Sequence, residues 1–175
     1  MTLAEYIALF IEYDRNILAE QPEDFDLAAA KDKFAAFATD LLRERGEIYV
    51  RMHPALQDRS YHGEIALPWF RSHAPYRFLD RQDNRDQMHI RVSNFGSFVT
   101  TYFEPLVEGA YTPFHVSLPD KYQPDDMDMA PLLVLFRKWG YRYIPLTVLQ
   151  QPYTRGDAIH WWVESWFSRY FGIIA

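Results

Sequence analysis

The chain contains no cysteine. That excludes disulfide staples, thiol nucleophiles, cysteine-ligated zinc and iron–sulfur clusters, and it makes a cytoplasmic setting the default expectation. Glycine is scarce, with seven residues, and none falls in a G-x-G-x-x-G or G-x-x-x-x-G-K pattern. Phosphate cradles need backbone N–H groups unobstructed by side chains, so the common nucleotide-binding loops are absent. Lysine is scarcer still: Lys31, Lys33, Lys121 and Lys138 are the only four, and no Lys/Arg cluster exists. With a net charge of −6 the chain lacks the positive footprint that nucleic-acid binding requires. No apolar run approaches the roughly eighteen residues of a membrane span. Met1-Thr2-Leu3-Ala4-Glu5-Tyr6 has no basic stretch and does not read as a signal peptide.

What is present is aromatic. Phe, Trp and Tyr make up 17% of the 175 residues, within 49% apolar and 24% charged. This is the composition of a soluble globular protein with a substantial core, expected as one domain spanning residues 1–175. The segment from Ile159 to Ala175 carries three of the five tryptophans, and so much aromatic surface must be covered by the chain itself or by another molecule.

Hydrophobic spacing predicts a helix over residues 3 to about 20, capped by Thr2 and stopped by Pro22. A second helix is expected from about 27 to 45, capped by Asp24 or Asp26, with Arg43 and Arg45 in its last turn and Gly46 as its exit. Ile48-Tyr49-Val50 reads as a short strand, and Arg51 to Arg85, with three prolines, as an irregular excursion. Gln87 to Ser93 alternates, with Met88, Ile90 and Val92 on one side and His89, Arg91 and Ser93 on the other. A turn at Asn94 to Gly96 leads into a second strand, Ser97 to Phe103. A further strand is expected at Tyr111 to Leu118, a helix at Met129 to Trp139 capped by Asp128, a short strand at Tyr141 to Ile144, and a final aromatic helix capped by Asp157. The order implies an α+β fold: an N-terminal helical hairpin on a largely antiparallel sheet, with an aromatic-rich C-terminal helix.

No motif names a chemistry. There is no G-x-S-x-G elbow, and the six histidines form no H-x-H or H-x-x-x-H pair. His160 and Glu164 would share a face of the final helix, for which an ordinary i, i+4 contact is the simpler reading. His53, His62 and His73 fall in the irregular stretch and read as loop residues. Glu64, Glu104 and Glu164, beside apolar neighbours, are the carboxylates that burial would suit for acid–base work. No catalytic residue, metal or cofactor is expected. Two acidic clusters remain: Asp120, Asp125, Asp126 and Asp128 with Tyr122 among them, and Glu23, Asp24 and Asp26, with Glu20, between the first two helices. Each is a solvated loop or a surface for a basic protein partner, in which Tyr122, Tyr111 and Trp69 have the character of aromatic anchors.

Three stretches carry a family resemblance: V-S-N-F-G-S-F-V-T at Val92 to Thr100, G-Y-R-Y-I-P-L-T-V-L-Q-Q-P-Y at Gly140 to Tyr153, and W-W-V-E-S-W-F-S-R-Y-F at Trp161 to Phe171. Together, over the last half of the chain, they resemble the immunity proteins encoded beside bacterial polymorphic toxins. The resemblance implies a non-catalytic protein that binds and neutralises a toxin domain, and it assigns no binding residue. Two other expectations stand beside it: a small-molecule enzyme or ligand-binding protein with an aromatic-lined pocket, and a homodimer joined by the aromatic tail.

Overall fold

Five strands form one sheet in the order β1-β2-β3-β4-β5: β1 Tyr49–Arg51, β2 Tyr61–Pro68, β3 Asp86–Ser93, β4 Phe98–Pro105 and β5 Arg142–Tyr143. The computed structural model describes residues 1–16, 19, 21–46, 48–51, 61–68, 86–105, 126–155 and 163–172. The first four strands pair antiparallel with their sequence neighbours, and β5 joins β4 in parallel. Among the described residues five helices accompany the sheet: α1 Leu3–Tyr13, α2 Leu27–Arg45, α3 Asp126–Lys138, α4 Leu146–Leu149 and α5 Trp166–Phe171. The α+β class, the N-terminal helices on a mostly antiparallel sheet and the aromatic C-terminal helix are as expected.

Helix boundaries follow local chemistry. Thr2 and Glu5 form a reciprocal capping box at the start of α1. Asp26, not Asp24, caps α2, its carboxylate accepting from the Ala29 N–H at 2.9 Å. Gly46, at φ 83°, closes that helix in the left-handed conformation. The expected run of α1 to about residue 20 is cut short at Tyr13. Asp14 leaves the helical conformation, its carboxylate bonded to Arg169 and Tyr153 and its carbonyl to Arg155, so tertiary partners take groups that would have extended the helix.

Residues 61–68 form a full strand where an irregular stretch was expected. His62-Gly63-Glu64 interrupts any hydrophobic alternation, and β2 is buried on both faces, so its polar residues point inward as well. α3 begins at Asp126, placing Asp128 inside the first turn and not at the cap. α5 begins at Trp166, capped by Ser165. Asp157 and the expected strand at 111–118 lie outside the described residues.

The sheet separates two cores. Ile65, Leu67, Met88, Ile90, Val92 and Val99 pack against Phe34, Phe37 and Leu41 of α2 and against Leu132, Leu135 and Phe136 of α3. On the opposite face Phe98 and Tyr102 meet Phe10 of α1 with Trp166, Phe167, Tyr170 and Phe171 of α5. The two N-terminal helices thus serve different faces, and the aromatic residues of α5 are absorbed by the chain's own core. In that core Phe10 stands 5.2 Å from Trp166 and 5.4 Å from Tyr170 between ring centroids. The Tyr170 hydroxyl donates to the Phe10 carbonyl.

Gly63 is set by contact with α2. A β-carbon there would lie 2.5 Å from the ring of Phe34. Gly63→Ala is therefore expected to destabilise the fold by about 1–3 kcal/mol through overpacking. Urea denaturation checks this, and Phe34→Leu in the same chain should recover part of the loss, whereas Phe34→Leu alone should lower stability.

Candidate functional site

The sheet face beneath α5 is built from charge. Glu64 on β2, Arg91 and His89 on β3 and Tyr102 on β4 are all buried. Their register puts them side by side, Glu64 opposite Arg91 and His89 opposite Tyr102. The Glu64 carboxylate meets Arg91 Nε at 2.7 Å and Nη2 at 2.5 Å, the Tyr102 hydroxyl at 2.8 Å and His89 Nδ1 at 3.2 Å. Burial alone would raise its pKa. The bond from His89, the Arg91 charge and the Tyr102 hydroxyl outweigh that and hold it below the ordinary carboxylate range.

Arg91 continues the network to the C-terminal helix, donating from Nη1 to the Phe171 carbonyl at 3.0 Å, while Ser93 Oγ donates to the Tyr170 carbonyl at 2.7 Å. These are carbonyls that a helix end leaves without an intrahelical partner. A second buried ion pair lies in the last turn of the same helix: Arg169 Nε and Nη2 meet one oxygen of Asp14 at 2.8 and 2.7 Å, and the Tyr153 hydroxyl meets the other at 2.6 Å. The first network fastens α5 to the sheet, and the second fastens it to the end of α1. Glu64, expected as a possible general base, has its carboxylate occupied by three donor side chains and is ionised, so it is a structural hub.

The site with unused capacity is a cleft of about 1020 Å³ where the α1–α2 connection faces the β3–β4 turn. Its outer lip carries Glu12, Glu23, Asp24 and Asp26, and Arg15 also lines it. Its inner wall includes Lys33 of α2, His62 of β2, Asn94 in the turn and Tyr141 before β5. His62 is buried, with 6% of the residue exposed, its ring edge-on to Phe34 at 6.0 Å and tilted on Phe25 at 5.8 Å. His62 Nδ1 meets Asn94 Oδ1 at 3.1 Å, which places the ring proton on Nδ1. His62 Nε2 and the Tyr141 hydroxyl are buried with no hydrogen-bond partner among the described residues. The Lys33 ammonium stands 4.3 Å above the Tyr141 ring. Burial lowers the Lys33 pKa and raises that of Tyr141.

Of the residues expected to contact a partner, Glu23, Asp24 and Asp26 are exposed at this lip, with Asp26 engaged as the α2 cap. Asp120, Tyr122 and Asp125 lie outside the described residues, as do Trp69, Tyr111, His53, His73 and His160. Asp126 and Asp128 fall in the first turn of α3. Glu164 is exposed and precedes the Ser165 cap, so it occupies no helical face of the kind an i, i+4 pair with His160 requires. No cluster of three His, Asp or Glu side chains suited to a metal exists among the described residues. Among them, too, no helix is long and apolar enough to cross a membrane. Sequence spacing did not single out Lys33, Asn94 and Tyr141. They come from a helix, a turn and a strand approach far apart in the chain, and no local pattern joins them. Neither a family model, nor a curated protein, nor a solved structure matches the chain.

Two outcomes follow from these buried groups. Glu64→Gln leaves the Arg91 cation without its counter-charge and is expected to cost about 3–5 kcal/mol in chemical denaturation. The second concerns pH. Burial lowers the His62 pKa from 6.5 to about 4, opposed by the Asn94 bond and reinforced by the charges of Lys33 and Lys31. The unfolded chain takes up this proton near pH 6.5 and the folded chain only near 4, so stability falls as pH drops through that window, by up to roughly 3 kcal/mol. Glu64 contributes stability that is present above its unfolded pKa of 4.5 and is lost as pH falls further. Denaturation midpoints from pH 7.5 to 4.5 should therefore decline in the native chain and remain nearly flat in His62→Gln.

Proposed function

We propose that this is a non-catalytic binding protein, acting as an immunity protein that binds and neutralises a bacterial toxin domain, and that the cleft is its docking site. The observation that carries the reading is an acidic lip, Glu12, Glu23 and Asp24 beyond the capping Asp26, set around an open cleft large enough to admit partner side chains. A toxin domain that cuts nucleic acid is basic, because its substrate is a polyanion. An acidic surface draws such a domain in by long-range attraction, and groups buried in the cleft then set the lifetime of the complex.

The net charge of −6 and the resemblance of residues 92–100, 140–153 and 161–171 to immunity proteins support the same reading. The acidic segment containing Asp120, Tyr122 and Asp125 belongs to the proposed contact surface as a second patch. Cytoplasmic action, where such a toxin meets nucleic acid, is part of the proposal. The enzyme reading is less favoured, because the buried carboxylate best suited to act as a base, Glu64, spends its oxygens on Arg91, His89 and Tyr102.

Co-expression with the protein encoded by the neighbouring gene tests the proposal. A complex is expected to co-purify, with an association rate that falls as salt is raised. Reversing Glu23 and Asp24 to lysine, with the helix-capping Asp26 left in place, should slow association by about tenfold at low salt and leave the fold unchanged. Absence of a complex, or an association rate insensitive to both salt and charge reversal, would overturn the reading.

A further inference from the structure

Three polar groups on the cleft have hydrogen-bonding capacity that the described residues around them leave unused. His62 Nε2 is an acceptor, since the ring proton sits on Nδ1 facing Asn94. The Tyr141 hydroxyl is a buried donor, on a ring that meets Phe37 edge-on at 5.3 Å between centroids. Lys33, half-buried above the Tyr141 ring, brings further donors and forms no ion pair with any described carboxylate. Native proteins pair nearly all such buried atoms, and two orphans on the wall of one cleft point to an absent occupant. The nearby acidic lip supplies none of the missing partners.

The three groups also define what would fit. A carboxylate gives Lys33 and Tyr141 an acceptor but offers no donor to His62 Nε2, and it must pass the carboxylates of the lip. An ammonium group gives His62 a donor but leaves Tyr141 without an acceptor and meets the Lys33 charge. A primary amide is neutral and carries both functions in one plane.

We propose that the inner wall of the cleft is a receptor for a primary amide, its carbonyl oxygen accepting from Tyr141 Oη and Lys33 Nζ and its N–H donating to His62 Nε2. The chemical class is that of an asparagine or glutamine side chain, and the inference rests on the docking reading only in taking that side chain from the partner. Both orphaned atoms are covered in the free protein. Phe25, half-buried and packed on the His62 ring at 5.8 Å, is the side chain that gives way on entry.

The isolated full chain tests this without a protein partner. Isotope-labelled protein is titrated in separate NMR experiments with propionamide, propionate and propylammonium, which share a shape and differ in charge. Saturable shifts of the His62 and Tyr141 ring signals are expected with propionamide, and weaker binding of about tenfold or more with either ion. Tyr141→Phe removes a hydroxyl that has no partner among the described residues, so it should fold at least as stably as the native chain and bind propionamide about tenfold more weakly. Lys33→Met provides the same comparison from the exposed side of the wall. Propionate binding as tightly as the amide, no saturable shift with propionamide, or unchanged binding in both variants would each overturn the proposal. Amide binding without any complex with the neighbouring gene product leaves the pocket standing and removes the docking reading. A salt-dependent complex without amide binding does the reverse.

Discussion

The guanidinium of Arg91 lies under the C-terminal helix almost wholly out of water, and a buried cation is tolerable only where every part of it is matched. Glu64 supplies the counter-charge from the adjacent strand, and the Phe171 carbonyl takes a remaining N–H. The ring of Tyr61 lies 4.3 Å from the guanidinium carbon and that of Tyr102 5.2 Å away. This arrangement fixes the register of β2 on β3, the height at which α5 ends, and the position of Tyr102 beneath Phe167. Replacing the charges with apolar groups of equal volume would cost little, whereas removing one partner would cost much, so the network specifies a geometry more than it adds stability. The Asp14–Arg169 pair does the same from the last turn of α5, where it also ends α1.

With the sheet pinned on that side, the other face is an ordinary apolar core, and the cleft opens at the end of the molecule where the two sides part. The α1–α2 connection must pass from one face to the other because α1 serves the aromatic core and α2 the aliphatic one. That crossing places Glu23 and Asp24 on an exposed lip opposite the β3–β4 turn. The turn itself is tight, with Ser97 at φ 52° and Gly96 at φ 55°, and it holds Asn94 against His62. The candidate site is therefore a consequence of the fold's topology, assembled from residues that secondary structure alone would not gather.

Much of this architecture was legible in the sequence where the signal was local. Thr2, Asp26 and Gly46 announced helix ends by chemistry that acts within one turn. Met88, Ile90 and Val92 announced β3 by alternation, and Asn94 to Gly96 announced the turn. Signals failed where distant partners decided the outcome. Asp14 ends α1 because of Arg169, 155 residues away, and nothing near it in sequence says so. β2 was hidden because Glu64 and His62 look like loop residues until Arg91 and Asn94 are placed beside them. The acidic lip was visible as composition, while the buried polar atoms of His62 and Tyr141, unpartnered among the described residues, were not, because pairing is a property of three-dimensional surroundings.

On the proposed reading a partner protein settles into this cleft, with the charge networks beneath α5 serving as scaffold. Hydrogen–deuterium exchange on the chain with and without the neighbouring gene's product tests it most directly. Protection is predicted at residues 21–26 and 94–97, on the two sides of the opening, with α5 and β3 unchanged. Protection confined to other surfaces, with those two segments exchanging as they do in the free chain, would contradict it.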